Sequence, residues 1–142
     1  NPSDMVTIGD NVGIGGEVMI WTHGAWLDIT QGFPSDFGPV NIGDNVWLPA
    51  RCIVLPNVSI GSNSVIGIGS TLNRNIPEGS LAAGSPCKVI RENYYPQNVS
   101  DEQTSKCVSL YLIIVPPKLY STSSGCGAKH NTLSNSKNFI LI

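Results

Sequence analysis

Charge is scarce in these 142 residues: 13% are Asp, Glu, Lys or Arg, and the formal net charge is −2. With no basic excess to release counterions from a phosphate polymer, neither nucleic acid nor an anionic membrane surface is an expected partner. Long apolar runs are also missing. The longest, Val108 to Val115, falls far short of the roughly 20 residues that span a bilayer, so no membrane span is expected. Asn1 opens polar, turn-like sequence with no basic stretch leading into an apolar one, and a cytoplasmic location is the expectation. The four cysteines, Cys52, Cys87, Cys107 and Cys126, stand far apart with no CxxC pair and no histidine at zinc-ligand spacing. Reduced thiols are therefore expected, with neither a disulfide framework nor a metal site.

What the chain does have is a repeat. Residues 8–25 divide into IGDNVG, IGGEVM and IWTHGA; residues 42–59 into IGDNVW, LPARCI and VLPNVS; residues 60–77 into IGSNSV, IGIGST and LNRNIP. An aliphatic residue opens every six: Ile8, Ile14, Ile20, Ile42, Leu48, Val54, Ile60, Ile66 and Leu72. The fifth positions, among them Val12, Val46, Cys52, Val58 and Ser64, are mostly small or β-branched. This is neither the helical period nor simple strand alternation. A six-residue unit with one inward aliphatic makes a short strand and a corner, and three such units close a triangular coil that stacks on the next. Gly, Asn and Asp at the remaining positions tolerate the tight or left-handed backbone that corners need.

The predicted fold is thus all-β, a parallel β-helix. Residues 26–41, WLDITQGFPSDFGPVN, break the sixes and should leave the coil as a loop of the kind that carries function. The coil domain is set at residues 1–96. Residues 97–142, Ser- and Asn-rich around the patch LYLII, are expected to form an irregular tail, or else a strand packing on the coil or on a neighbouring subunit.

The stretch VNIGDNVWLPARCIVLPNVSIGSNSVIGIGSTLNRNIPEGSLAAGSPCKVIRE, with His23 placed 24 positions before Trp47, resembles the hexapeptide-repeat acetyltransferases. Within that family it is similar to the galactoside and maltose O-acetyltransferases and the related capsule and antibiotic enzymes. The ending AAGSPCKVIRE carries the sharpest part of the likeness, which covers about the first two-thirds of the chain. The resemblance implies a left-handed coil, acetyl-CoA as acyl donor, a hydroxyl-bearing acceptor such as a saccharide, no metal, and a homotrimer with its site between subunits.

It also implies roles for particular residues. His23, the only histidine of the repeat region, becomes the general base: a neutral imidazole, with an ordinary pKa of about 6.5, accepts the proton of an attacking hydroxyl. Glu17 and Asp28 are candidates to orient it. Trp47 is a candidate lining residue of the acceptor or thioester site, with packing against a neighbouring subunit as the alternative. Trp21 and Trp26 flank His23 as an apolar rim. Counting sixes places Asn57 one coil beyond His23 in the same column and Asn75 one further; Asn57 is a candidate for contacting His23 or the acceptor, against a purely structural role as a coil corner. The resemblance points to the backbone amides of Ala50, for the tetrahedral oxyanion, and of Ile68, along the pantetheine path. Pro49 and Ile68 stand where the family commonly has Gly and Ala, and the bulk of Ile68 narrows the space for that arm. Asn73, Arg74, Lys88 and Arg91 are candidates for the nucleotide end of CoA, whose 3′-phosphate suits cationic donors.

Two rivals share the coil. A γ-type carbonic anhydrase needs three converging histidines, which the repeat region does not have. A catalytically silent β-helix serving as a scaffold subunit is the alternative of another class.

Overall fold

The structure, a computed structural model, describes residues 5–25, 27–114 and 140–141. The described residues fall into two compact units, one of residues 5–25, 27–96 and 140–141 and one of residues 97–114.

In the first unit, short strands follow one another around three sides. The first side holds β1 (Val6–Ile8), β6 (Val40–Ile42) and β9 (Ser59–Ile60). The second holds β2 (Gly13–Ile14), β7 (Trp47–Leu48), β10 (Val65–Ile66) and β12 (Leu81–Ala83). The third holds β3 (Met19–Ile20), β8 (Ile53–Val54) and β11 (Thr71–Leu72). Each side is a parallel ladder, and successive strands visit the sides in rotation, so the chain winds as a three-sided parallel coil. Asn41 faces Ser59 and Ile53 faces Thr71, a step of 18 residues, the length of three sixes. Val6, by contrast, faces Val40, and Gly13 faces Trp47. The longer step is the insertion that the broken sixes mark.

The sixes explain the packing. Ile42, Leu48, Val54, Ile60, Ile66 and Leu72, all first positions, are at most 3% exposed, as are the fifth positions Val46, Cys52, Val58 and Ser64. The first and fifth side chains of these sixes thus enter the core, and most of the others face out or turn the corner. Asn11, Asn45 and Asn63 turn the first corner at φ of +55°, +55° and +59°, a region that asparagine tolerates better than branched residues do. Their amides form a ladder: Asn11 Nδ2 donates to Asn45 Oδ1 at 3.3 Å, Asn45 Nδ2 to Asn63 Oδ1 at 3.1 Å, and Asn63 Nδ2 to Glu78 Oε1 at 3.4 Å.

The second side is extended at both ends. β13 (Lys88–Arg91) pairs antiparallel with β12, and β14 (Ile140–Leu141) pairs in parallel with β2.

The second unit departs from the expected irregular tail and from an all-β chain. Asp101–Ile114 is an α-helix, α1, which takes in the LYLII patch that the sequence left as irregular or strand. Its start is a capping box: Ser100 Oγ accepts from Gln103 N at 3.3 Å while Gln103 Oε1 accepts from Ser100 N at 3.0 Å. Asp101 and Glu102 in the first turn complement the positive end of the helix dipole. These local signals favour a helix where no coil repeat competes.

Candidate active site

His23 follows β3 at the third corner of the first described coil, where the chain leaves the repeat. It begins β4 (His23–Gly24), which pairs antiparallel with β5 (Asp36–Phe37), His23 facing Phe37 and Gly24 facing Asp36. The insertion between them is a hairpin. Asp28 caps a 3-10 turn at Ile29–Gln31: its Oδ1 accepts from Thr30 N at 2.9 Å and Thr30 Oγ1 at 2.7 Å, and its Oδ2 from Gln31 Nε2 at 3.2 Å. The Thr30 hydroxyl, its backbone N–H and the Gln31 amide hold the Asp28 carboxyl below the usual aspartate value. Gly32, at φ +82°, closes the turn by donating to Ile29 O. After β5, Gly38 N donates to Thr22 O at 2.9 Å and the chain rejoins the coil at Val40.

The hairpin and the coil enclose a cleft of about 740 Å³. Trp21, Leu27, Pro34, Leu55 and Pro56 give it apolar walls, and His23 and Asp36 are its titratable lining residues. His23 is exposed, and its ring stacks on Phe37 with centroids 6.2 Å apart and planes 18° apart. Low-polarity walls beside an accessible imidazole leave room for a bound hydroxyl within reach of a proton acceptor.

The other sequence candidates fall in several places. Neither proposed orienter is free for His23. Glu17 pairs with Arg51, Oε2 to Nε, at 2.6 Å, and the Asp28 oxygens are taken by the 3-10 turn. Asn57 lies in the expected column, but its amide goes to the hairpin, donating to Asp36 Oδ1 at 2.9 Å and to Phe37 O at 3.0 Å. It holds the loop rather than reaching the imidazole. Asn75 Oδ1 accepts from Ser59 N at 2.8 Å, a coil contact.

Trp47 sits on the second side and is 37% exposed. Its ring lies over Gly13, where an added methyl would come within 2.7 Å of Cζ3 and nearer still to Cε3, so only glycine fits beneath it. Trp47 does not line the His23 cleft of its own chain. Trp26 lies outside the described residues.

Ala50 and Ile68 stack at the second corner, where Gly69 N donates to Ala50 O at 3.1 Å. Ile68 is 73% exposed, so its bulk stands away from the core. Asn73 and Arg74 follow β11 at the third corner, and Lys88 and Arg91 lie on β13, all four exposed. The Arg91 guanidinium rests over the Tyr94 ring at 4.8 Å. One chain therefore does not gather the proposed CoA residues around His23. The repeat columns did not announce Leu55, Pro56, Asp36 and Phe37 as site residues; only the hairpin that brings them to His23 does.

Residues 39–74 match the family model for the bacterial transferase hexapeptide (six repeats). The chain resembles the hexapeptide-repeat acetyltransferases. It is 43% identical over 89 residues to the galactoside O-acetyltransferase of Escherichia coli, a match covering 61% of this chain and 44% of that protein. Among solved structures, a galactoside acetyltransferase in complex with coenzyme A is 39% identical with a TM-score of 0.57, covering 67% of this chain and 52% of that one. A maltose O-acetyltransferase from Clostridium difficile is also 39% identical, with a TM-score of 0.55 and coverage of 61% and 48%. The chain spans less than half the length of the curated relatives it matches.

Proposed function

We propose that this chain carries the histidine of an acetyl-CoA-dependent O-acetyltransferase that acetylates a hydroxyl of a saccharide-like acceptor. The observation that carries the reading is the cleft: an exposed imidazole, held by an antiparallel hairpin, opens into an apolar-walled space beside the repeat. The galactoside and maltose enzymes among its relatives, one of them solved with coenzyme A, support the donor and the acceptor class. In this reading His23 takes the proton of the acceptor hydroxyl as its oxygen attacks the thioester carbonyl. The amide of Ala50 donates to the oxyanion. Collapse breaks the carbon–sulfur bond, and His23 returns the proton to the leaving thiolate, giving the acetyl ester and free CoA.

The same reading makes the coil left-handed, as in the family it resembles, and the working unit a homotrimer. Trimer formation is favoured by the division of residues: His23 and Asn57 stand at the third corner and Ala50 and Ile68 at the second, so a neighbour must bring the two edges together. Ala50, Ile68, Asn73, Arg74, Lys88 and Arg91 would then hold CoA, and Trp47 would face the thioester across the boundary. A cytoplasmic setting suits the free thiols of Cys52, Cys87 and Cys107.

The test is thiol release from acetyl-CoA with a panel of methyl glycosides, comparing the full chain with His23→Ala. Loss of one positioned base is expected to lower kcat about 10²–10⁴-fold. Equal rates in the two proteins would remove His23 from the chemistry. CoA binding that saturates without turnover in the unsubstituted protein would point to a silent scaffold.

A further inference from the structure

The hairpin that carries His23 is small. Its two strands have two residues each, and a two-stranded ribbon of that size is at best marginally stable unaided. Among the described residues, Asn57 is the coil side chain that hydrogen-bonds to it. Asn57 occupies the third corner at φ +63° and sends both hydrogen bonds of its Nδ2 into β5, to the Asp36 carboxylate and to the Phe37 carbonyl. Those residues are the ones that face Gly24 and His23 across the ribbon, and Phe37 is the ring on which the imidazole stacks. Gly38 completes the fit. The three atoms nearest to a methyl built there all belong to the Asn57 amide, the nitrogen at 2.7 Å and the other two closer still.

We infer that Asn57 is a positioning residue for His23, a latch that ties β5 to the rigid coil and thereby sets the place of the imidazole. The inference rests on the reading of His23 as the base. Asn57 touches neither donor nor acceptor in this scheme. It acts through Asp36 and Phe37, and the charge-assisted bond to the carboxylate is the stronger of its two contacts.

The experiment uses the full chain with two readouts. Asn57→Gly keeps a residue suited to the left-handed corner while removing the amide. Asp36→Ala removes the carboxylate acceptor and leaves the corner untouched, so it serves if the first variant fails to fold. Misplacement of a catalytic group by about 1 Å costs as much as 10²-fold; Asn57→Gly is accordingly expected to lower kcat about 10- to 100-fold, with KM for acetyl-CoA held within about twofold. Asp36→Ala should act in the same direction, the double variant should be no slower than Asn57→Gly alone, and Asp36→Asn, which keeps an acceptor oxygen, should recover most of the loss.

The second readout needs no turnover. The Hε1 proton resonance of His23, identified by its disappearance in His23→Ala, should move in Asn57→Gly to where it stands in Phe37→Leu. An unchanged resonance and kcat in Asn57→Gly, or additive losses in the double variant, would overturn the latch. If the unsubstituted protein acetylates no acceptor, the O-acetyltransferase reading fails and the resonance alone decides whether Asn57 sets the imidazole.

Discussion

Gly38→Ala isolates the contact on which the site geometry depends. The methyl would fall on the Asn57 amide, 2.7 Å from its nitrogen, with Asn57 atoms as its three nearest neighbours. Since φ at Gly38 is not among the positive values, alanine meets no backbone penalty there, and the damage is confined to displacing that amide. Displacement breaks a bond to a carboxylate at 2.9 Å and one to a carbonyl at 3.0 Å. A charged partner contributes about 1.5–3 kcal/mol net and a neutral one about 0.5–1.5, and because both bonds lie at the surface the low end, about 2 kcal/mol together, is expected. Global unfolding will under-report this loss, because the hairpin can release while the coil stays folded. Amide hydrogen exchange across β4 and β5 and at position 38, corrected for intrinsic rate, reads the opening directly, and about 2 kcal/mol appears as exchange about 30-fold faster. The control is the same substitution in Asn57→Gly, where no amide stands in the way. There its cost should shrink to within about 0.5 kcal/mol of zero, the tolerance for uncoupled sites. An equal cost in both backgrounds would refute the reasoning, because Gly38 would then matter for something other than Asn57.

The corner ladder gives a second test. Asn45, at φ +55° with hydrogen bonds to Asn11 and Asn63, should lose about 1 kcal/mol of stability on replacement by Gly and about 2 on replacement by Ala, the difference being the left-handed backbone; equal losses in urea melts would contradict that division. Burial pushes the thiols of Cys52 and Cys87 up from the ordinary cysteine value, whereas Cys107 is exposed. Iodoacetamide at pH 8, followed by peptide mass mapping, should therefore label Cys107 well before the other two; comparable rates would mean that the coil opens on the labelling timescale.

The coil was readable because its period is enforced by sterics at every turn. Two inward positions in each six, and corner residues that accept left-handed backbone, leave a pattern that survives in a single sequence; Ile42, Leu48, Val54 and Ile60 fall in the core where the sixes put them. The insertion showed itself as a break in that period. Its internal form did not, because the 3-10 turn and the β4–β5 ribbon depend on Asp28, Gly32 and the distant Asn57 rather than on any repeat. Column counting placed Asn57 near His23 but could not say which of its neighbours the amide would choose. The helix at Asp101–Ile114 follows a different rule: it is set by the local Ser100–Gln103 capping box and not by the sixes, which end before it.

The placement of Trp47 bears most on how the whole site must work. Its ring is committed to Gly13 on the second side, away from the cleft that the third-corner hairpin builds around His23. Ala50 and Ile68 belong to the corner next to Trp47, not to the one next to His23. The corners are held apart by the ladders of the three sides, in which β6, β7, β8 and β10 are each bonded to strands on both sides. In the proposed reading, the edge that carries Ala50 and Ile68 meets the edge that carries His23 when two copies of the chain pack edge to edge. Repetition therefore supplies the stiff columns, and the catalytic arrangement we propose comes from the one segment that breaks the repeat, together with a second copy of the chain.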